Sequence, residues 1–367
     1  MTRIVTLVLV DPAGRVLGAL PPFEAALPWW QNVGEFARAD RQVLRLLHGD
    51  RPAPPGGHVT YLAEVSDHRG DLYPVEVDLT PDPRRAAYAE VGGPAASLAW
   101  AREVLGGPAP AHQQRTWNLS AIWRIGDDAW LKQVPAFFAH EPAAIRLVDE
   151  VVPGLVPELI ADGPQGRMLL AHIEGEDRYG AGADVCDRIA AALHPVQVEL
   201  AGRVPAVIPD GRLDAERIRR VAEPYFGRFD GLEELVDGLP ARFSAVAECG
   251  LPDTLVHGDL HPGNVRTGPD GKLTIMDWGD CTIGHPAFDI LRLTEGLDDP
   301  EPVVRQWAYR WVKSRPGAEP MRAAELLRPV AALRAAVTYS GFLDRIDPSE
   351  WPYHAADVPD RLAAALS

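Results

Sequence analysis

Three oxygen-bearing side chains lie close together in the segment spanning residues 256–289, namely Asp259, Asn264 and Asp277. Asn264 follows Asp259 by five positions, and Asp277 follows a predicted strand over 273–276 that comes after the turn sequence GPDGK. In a phosphoryl-transfer site, one aspartate accepts the proton of the attacking hydroxyl, while an asparagine and a second aspartate hold magnesium. Hard cations prefer such oxygen ligands. The order and spacing therefore predict transfer of a phosphoryl group to a hydroxyl.

The same segment allows a second interpretation, because His257, Asp259 and His261 form an H-x-D-x-H pattern. Such a pattern is typical of transition-metal sites in hydrolases. A metallohydrolase of this kind would leave Asn264 and Asp277 without a role, so we favour the phosphotransferase. For the two histidines, we favour loop packing and hydrogen bonding over catalysis. A third hypothesis is a nucleotide-binding scaffold without catalytic activity, which would normally have lost Asp259 or Asp277.

The sequence HGDLHPGN, followed by IMDWGD, resembles the aminoglycoside phosphotransferase family, and a weaker resemblance extends over about residues 113–345. The resemblance implies a two-lobed, protein-kinase-like fold and a small-molecule kinase that uses ATP and Mg²⁺. It implies that Asp259 is the catalytic base and that Asn264 and Asp277 are the magnesium ligands. It also implies that Asp289, in HPAFD, braces the catalytic loop from the helix that follows.

A kinase-like site also needs a cationic side chain for the phosphates and a carboxylate that holds it. Lys132 is the candidate cation, because it lies on a predicted strand over 129–134 and is the only lysine or arginine between Arg124 and Arg146. Glu141 is the candidate carboxylate, because it begins EPAAIRLVDEV, a segment with apolar residues at helical spacing. The alternative for Lys132 is a solvated surface position.

Two further segments are predicted to contact the nucleotide. The strand-like sequence NLSAIWRI occupies the place of a phosphate-covering loop but contains no glycine-rich motif, and Asn118 and Ser120 are predicted to reach the phosphates through backbone amides. By resemblance, the predicted strand RMLLAHI leads to the hinge, where backbone groups from Ala171 to Ile173 would hold the adenine. Because a hinge recognises the base through backbone atoms, GTP stays open as an alternative donor.

The sequence pattern predicts an α+β fold, and the resemblance implies how it is divided: an accessory α+β domain over 1–107, a β-rich kinase-like N-lobe over 108–173 and a helical kinase-like C-lobe over 174–367. In the first part, a hairpin is predicted around the turn DPAGR, then a helix in EFARADRQVLRLL, strands in HVTYLAEV and LYPVEVDL, and a helix before the breaker run GGPAPA. This part faintly resembles a Nudix domain but lacks the catalytic box of that family. An accessory role, capping the substrate or joining a homodimer, is predicted.

The composition of the sequence limits the classes of molecule that the protein is expected to bind. The net charge of −16 and the pI near 5.1 argue against nucleic acid or an anionic membrane as a partner. The three cysteines lack disulfide or zinc spacing, and the apolar run at the start is too short for a signal peptide, so we expect a cytoplasmic protein. The expected substrate is a small molecule with a hydroxyl group, such as an aminoglycoside, an aminosugar, a sugar or an amino alcohol. Acidic residues such as Glu174 and Glu295 would meet amino groups or simply be solvated.

Overall fold

The computed structural model describes residues 2–212 and 214–367, and these form two compact units. The first unit contains the chain up to Ala139, together with Leu159–His172 and Tyr339–Asp357. The second unit contains His140–Glu158, Ile173–Thr338 and Val358–Ser367. The sheets of the first unit and the helices of the second confirm the predicted mixed fold, a sheet-rich region followed by a helical one. The division into three domains at 107 and 173 stays a prediction.

The first unit is built on two five-stranded sheets and one longer helix. The first sheet has the order β2-β1-β5-β4, with β3 paired to β1, and only the β1–β5 pair is parallel. The second sheet has the order β6-β7-β8-β10-β9 and is antiparallel throughout. The elements are β1 Arg3–Val10, β2 Val16–Ala19, β3 Phe23–Ala25, β4 Arg41–Gly49, β5 Gly57–Val65, α1 Gly93–Val104, β6 Ala111–Trp117, β7 Ser120–Ile125, β8 Ala129–Gln133, β9 Leu159–Gly163 and β10 Arg167–Ala171.

Side chains join these two sheets. The amide of Gln113 on β6 donates to the carbonyl of Val43 on β4 at 2.8 Å and accepts the Val43 N–H, also at 2.8 Å. The indole N–H of Trp123 donates to Gln42 Oε1 at 2.8 Å. Because Gln113 is buried, these bonds satisfy backbone groups of β4 that a neighbouring strand would otherwise satisfy. The β1–β5 sheet and the β6–β10 sheet are therefore bonded to each other within the first unit.

A segment from the far end of the chain completes the first unit. Residues 348–353 form a short 3₁₀ helix in which Tyr353 packs edge-on against Trp30, at 5.7 Å between ring centroids. Glu350 is buried and accepts a long hydrogen bond from the N–H of Leu46, at 3.5 Å. His354 Nε2 lies 2.8 Å from Asn118 Oδ1, and both side chains are buried. The core of the first unit thus includes residues more than 200 positions apart in sequence.

The second unit is mainly helical and contains short paired strands. β11 pairs with β13 and β13 with β14, while β12 pairs with β15. The elements that begin after residue 140 and lie wholly or mostly in the second unit are α2 Glu141–Val151, β11 Glu176–Asp177, α3 Ala183–Glu199, α4 Ala215–Ala222, α5 Leu232–Asp237, α6 Leu239–Glu248, β12 Thr254–Val256, β13 Val265–Thr267, β14 Leu273–Ile275, β15 Thr282–Gly284, α7 Ala287–Thr294, α8 Glu301–Ser314, α9 Pro320–Leu343 and α10 Asp357–Ala364. The helical character predicted for this part of the chain is confirmed. Trp307 and Trp311 of α8 are buried in the core.

Two predictions in the first 107 residues are wrong. The apolar spacing in EFARADRQVLRLL predicted a helix, yet Arg41–Gly49 is the strand β4. Residues 43–46 are all buried, and two register shifts interrupt the pairing of β4 with β5, so both faces are covered and the two-residue period is lost. The alternating sequence LYPVEVDL predicted a strand, but there only Tyr73 forms a bridge, to Ala19. One of its valines, Val77, packs on a core cluster without a hydrogen-bonded partner strand.

Among the described residues, no helix combines the length and the apolar character needed to cross a membrane.

Candidate active site

The loop that contains Asp259 begins where β12 ends. β12 pairs with β15, so the start of this loop lies beside the segment that follows Asp277. Gly258 has a φ of +88°, and a Cβ at this position would lie 2.2 Å from the carbonyl oxygen of Asp280. No side chain fits at that distance, and the left-handed backbone favours glycine. The glycine before Asp259 therefore lets the two loops approach each other.

Asp289 holds the loop from α7. Its carboxylate accepts the N–H of His257 at 3.0 Å, the N–H of Gly258 at 3.1 Å and the side-chain amide of Gln197 at 2.9 Å. Burial raises the pKa of Asp289, while the two backbone donors and the nearby His257 lower it in part. Two of these three hydrogen bonds fix the backbone just before Asp259, and the third ties the same carboxylate to α3. The resemblance predicted this bracing role.

His257 is a structural residue of the same loop. Its side chain is buried, its Nε2 lies 2.9 Å from the carbonyl of Met276, and its Nδ1 accepts the N–H of Asp259 at 3.3 Å. Both ring nitrogens are therefore occupied, and neither has a lone pair left for a metal. In the part of the chain that the structure describes, no group of three or more His, Cys, Asp or Glu side chains could hold a metal ion. The hydrolase interpretation is not supported.

Both oxygens of the Asp259 carboxylate have donors. Oδ1 accepts a hydrogen bond from Arg292 Nε at 2.8 Å. Oδ2 lies 3.3 Å from Asn264 Nδ2 and 3.5 Å from His261 Nε2. Partial desolvation acts to raise the pKa of Asp259, but the hydrogen bond to His261 and the positive charge of Arg292 outweigh it, so the pKa lies below its ordinary value. Asp259 is therefore ionised at neutral pH and can accept a hydrogen bond from a hydroxyl.

The two predicted magnesium ligands lie at the open end of the β13–β14 hairpin. Val265 pairs with Ile275, and the N–H of Met276 donates to the carbonyl of Asn264 at 2.8 Å, so Asn264 and Asp277 leave the hairpin side by side. The Asn264 amide nitrogen donates to the carbonyl of Asp259 at 3.0 Å, which turns the amide oxygen away from that contact. One amide oxygen and one carboxylate form the hard donor set that Mg²⁺ prefers. These residues fit a magnesium ion.

Asp277 has an unusual backbone for a residue with a side chain. Its φ is +65° and its ψ is 62°, in the left-handed region. The next residue, Trp278, is buried, and its N–H donates to Glu141 Oε1 at 3.1 Å while its indole N–H donates to the carbonyl of Ile275 at 3.0 Å. Strained non-glycine conformations persist where surrounding contacts impose them, commonly at functional sites. Here Glu141 and the Trp278 indole hold the segment that orients the Asp277 carboxylate.

A family comparison places this geometry among known proteins. The model of the phosphotransferase enzyme family (APH) matches residues 112–323, which is more than half of the chain. The chain belongs to this family. The match includes the loops of Asp259 and Asp277 and also Lys132 and Glu141, and it begins after the first 111 residues. The predictions of the family, of an enzyme and of a small-molecule phosphotransferase are confirmed.

Solved structures show the fold of this phosphotransferase. A choline/ethanolamine kinase family protein from Mesorhizobium loti has a TM-score of 0.53 at 18% identity, over 74% of this chain and 92% of that chain. The GDP and kanamycin complex of APH(2")-IIia has a TM-score of 0.51 at 17% identity, over 74% and 97%. An ethanolamine kinase from Plasmodium vivax has a TM-score of 0.53 at 12% identity, over 70% and 82%. No curated protein matches the sequence significantly.

The remaining predicted site residues of this phosphotransferase lie on the expected elements. Lys132 is buried on β8 of the first unit, opposite Met168 of β10, and Glu141 is the first residue of α2 in the second unit. Ala171 ends β10 and pairs with Ala129, and Ile173 follows two residues later. The nucleotide roles of these residues stay predictions.

The predicted phosphate-covering turn has a structural partner. Trp117 and Ser120 pair at the end of the β6–β7 hairpin, where the Trp117 indole N–H donates to Ser120 Oγ at 3.1 Å. The side chain of Asn118, within this turn, is buried and bonded to His354. The prediction for Asn118 and Ser120 concerned only their backbone amides. The contacts of their side chains do not test it, so it stays a prediction.

Arg292 is a site residue that the sequence reasoning missed. It lies on α7, three positions after Asp289, so both side chains leave the same face of the helix. Asp289 bonds the backbone before Asp259, and Arg292 bonds the Asp259 side chain. The i,i+3 spacing from the predicted bracing aspartate could have identified it, because a helix that presents one residue to a loop also presents the residue one turn later.

Proposed function

We propose that this phosphotransferase transfers the γ-phosphoryl group of ATP to a hydroxyl of a small molecule, namely an aminoglycoside, an aminosugar or a related sugar or amino alcohol. The observation that carries the proposal is the setting of Asp259. An ionised carboxylate, fixed at both oxygens, stands one hydrogen bond from Asn264, which shares the open end of a hairpin with Asp277. Phosphoryl transfer requires a fixed acceptor for the hydroxyl proton beside a metal-bound phosphate.

These contacts support a role for each of the chain's own residues. The Oδ2 atom of Asp259 has the longer contacts, at 3.3 and 3.5 Å, so it retains a lone pair for the acceptor hydroxyl. The hydroxyl oxygen forms the new bond to phosphorus as the bond from phosphorus to the leaving ADP oxygen breaks. Because Asp259 is a weak base, its main role is to orient the hydroxyl. It accepts the proton late in the reaction, after the bond to the leaving ADP oxygen is largely broken. The proton then passes to solvent.

Asn264 and Asp277 would hold magnesium, which supplies charge neutralisation at the phosphates when it is bound. Lys132 would contact the phosphates, and Glu141 would hold Lys132 in addition to the Trp278 amide. The backbone from Ala171 to Ile173 would receive the base. GTP is the alternative donor, and the GDP in the kanamycin complex of APH(2")-IIia is the reason to test it. Neither an inactive scaffold nor a metallohydrolase is favoured.

The test is nucleoside diphosphate release from Mg-ATP and from Mg-GTP across a panel of aminoglycosides, aminosugars, sugars and amino alcohols. We expect release that depends on one class of acceptor and falls by a factor of about 10³ or more in Asp259→Asn. Asp187→Asn is the matched control, because Asp187 also pairs with an arginine, Arg310, but on α3 and α8. Nucleotide binding without release for any acceptor would support the scaffold, and absence of nucleotide binding would refute the proposal.

A further inference from the structure

A chain of ion pairs extends from Asp259 to α10. Arg292 Nε donates to Asp259 Oδ1 at 2.8 Å, and Arg292 Nη1 donates to Glu295 Oε2 at 2.6 Å. The other oxygen of Glu295 accepts a hydrogen bond from Arg361, near the end of α10. The four charges of this series of ion pairs alternate in sign, so each side chain attracts the next one. Glu295 was expected to meet amino groups of a substrate or to be solvated, and the structure shows it bonded to two arginines.

The contacts of Asp259 show that the Arg292 guanidinium restrains the orientation of the carboxylate. A carboxylate held at one oxygen can turn about its terminal torsion, which is broad and roughly two-fold. Asp259 is held at Oδ1 by a short charge-assisted bond and at Oδ2 only by longer contacts to Asn264 and His261. The bond to Arg292 is the shortest of these contacts and joins a permanent positive charge to the carboxylate, which makes it the strongest of the three. Arg292 is therefore the main restraint on the orientation of this side chain.

The exposure of the pair matters as well. The Arg292 side chain is 32% exposed and the Asp259 side chain 39% exposed, so the pair lies at a solvent-accessible edge. Isolated ion pairs at such positions contribute little to stability, because water screens them. A pair of this kind that joins a catalytic-loop carboxylate to a second ion pair is thus better explained by positioning than by stability.

We propose that Arg292 is a positioning residue that orients the Asp259 carboxylate toward the acceptor hydroxyl, and that Glu295 and Arg361 act only by holding Arg292. This inference rests on the proposed phosphotransferase function. It assigns a catalytic contribution to α7 and α10 beyond the predicted base and metal ligands. Because these bonds of Arg292 lead to the base and to Glu295, its loss should lower turnover far more than nucleotide binding.

The experiment compares Arg292→Met, Arg292→Lys and Glu295→Gln with the unchanged protein, using the best acceptor from the panel. We expect Arg292→Met to lower kcat about tenfold to a hundredfold, with the KM for the nucleotide within about threefold of the unchanged protein. Arg292→Lys should recover part of the loss, because it retains the charge but not the planar fork. Arg310→Met, which breaks the Asp187 pair, is the matched control and should leave kcat unchanged.

A double-mutant cycle tests the second half of the inference. Glu295→Gln alone should lower kcat about threefold, and Arg361→Met should act similarly. In the Arg292→Met background, Glu295→Gln should have no further effect, because its route to Asp259 is gone. A full additional loss in that background would show that Glu295 acts elsewhere, and it would overturn this half.

The remaining outcomes separate the two proposals. An active protein in which Arg292→Met leaves kcat within about twofold, or raises it, would overturn the positioning role. A loss of kcat that comes with an equal rise in KM and a lower melting temperature, and that lysine does not repair, would show a purely structural role and overturn it too. If the unchanged protein releases no nucleoside diphosphate with any acceptor, the proposed function itself fails, and this inference fails with it.

Discussion

Asp289 Oδ1 accepts the backbone N–H of Gly258 at 3.1 Å, one residue before the predicted base. The second oxygen of the same buried carboxylate accepts the N–H of His257 at 3.0 Å. Two consecutive amides of the catalytic loop therefore depend on one side chain of α7. A buried N–H without an acceptor costs free energy, so the loop is stable only in the conformation in which both N–H groups reach Asp289.

Asp289→Asn is expected to destabilise the protein by about 1–3 kcal/mol, because the amide replaces one acceptor oxygen with a donor group that faces an N–H. Activity should fall as well, since the backbone before Asp259 loses a restraint. Chemical denaturation and kcat measurements check both effects. Asp187→Asn is the control in the same unit and should change the free energy of unfolding by less than about 1 kcal/mol. Unchanged stability and activity in Asp289→Asn would contradict this prediction.

Gly258→Ala is expected to remove activity and to lower the free energy of unfolding by at least about 2 kcal/mol. The left-handed backbone alone costs a residue with a side chain about 1–2 kcal/mol, and the new Cβ would meet the Asp280 carbonyl at 2.2 Å. Gly227→Ala is the control, because it has open space around its Cβ position. Thermal melting and the turnover assay measure the two variants side by side, and equal behaviour would refute the close approach.

The stability of the protein is expected to depend on pH through Glu350. Burial raises its pKa from an ordinary value of 4.5 to about 8. A raised carboxyl pKa means that the folded state prefers the neutral form, so its contribution is fully present below about pH 4.5 and is lost as pH rises toward 8. Over that pH range, the free energy of unfolding is expected to fall by an amount on the order of a few kcal/mol.

Glu350→Gln tests this dependence, because glutamine is neutral at every pH and of similar size. We expect the difference in melting temperature between the variant and the unchanged protein to grow in favour of the variant from about pH 5 to about pH 9. Glu24→Gln, at an exposed position on β3, is the control and should show no such trend. A difference that stays constant with pH would show that Glu350 is ionised in the folded protein.

Asn118→Ala separates the two roles of the β6–β7 turn. The side chain is buried and bonded to His354, so its removal should cost about 1–3 kcal/mol of stability. The predicted phosphate contact uses the backbone amide, which the substitution keeps, so the KM for ATP should change by less than about threefold. A roughly tenfold rise in KM with unchanged stability would instead assign the side chain to nucleotide binding.

The agreement between sequence and structure is best where the pattern is local. Gly258, Asp259, Asn264 and Asp277 lie within 20 positions, and a tight loop followed by a hairpin leaves few ways to arrange them. The helical character predicted for residues 174–367 is also present, because apolar residues recur there at helical spacing. The same spacing argument wrongly predicted a helix at β4. Because β4 is buried on both faces, its apolar residues form a continuous run, and such a run is equally compatible with a helix.

The sequence by itself determined the family, the phosphotransferase chemistry and the order of the predicted base and the predicted metal ligands, because these depend on residue type and short spacing. Only the tertiary structure decided which side chains surround Asp259. Arg292 lies 33 positions after Asp259, and Glu350 reaches Leu46 across 304 positions. Such partners meet only when separate elements pack, and many pairings of arginine with aspartate are equally compatible with the sequence. Their selection depends on the packing of α7 and of the terminal segment, which no local pattern encodes.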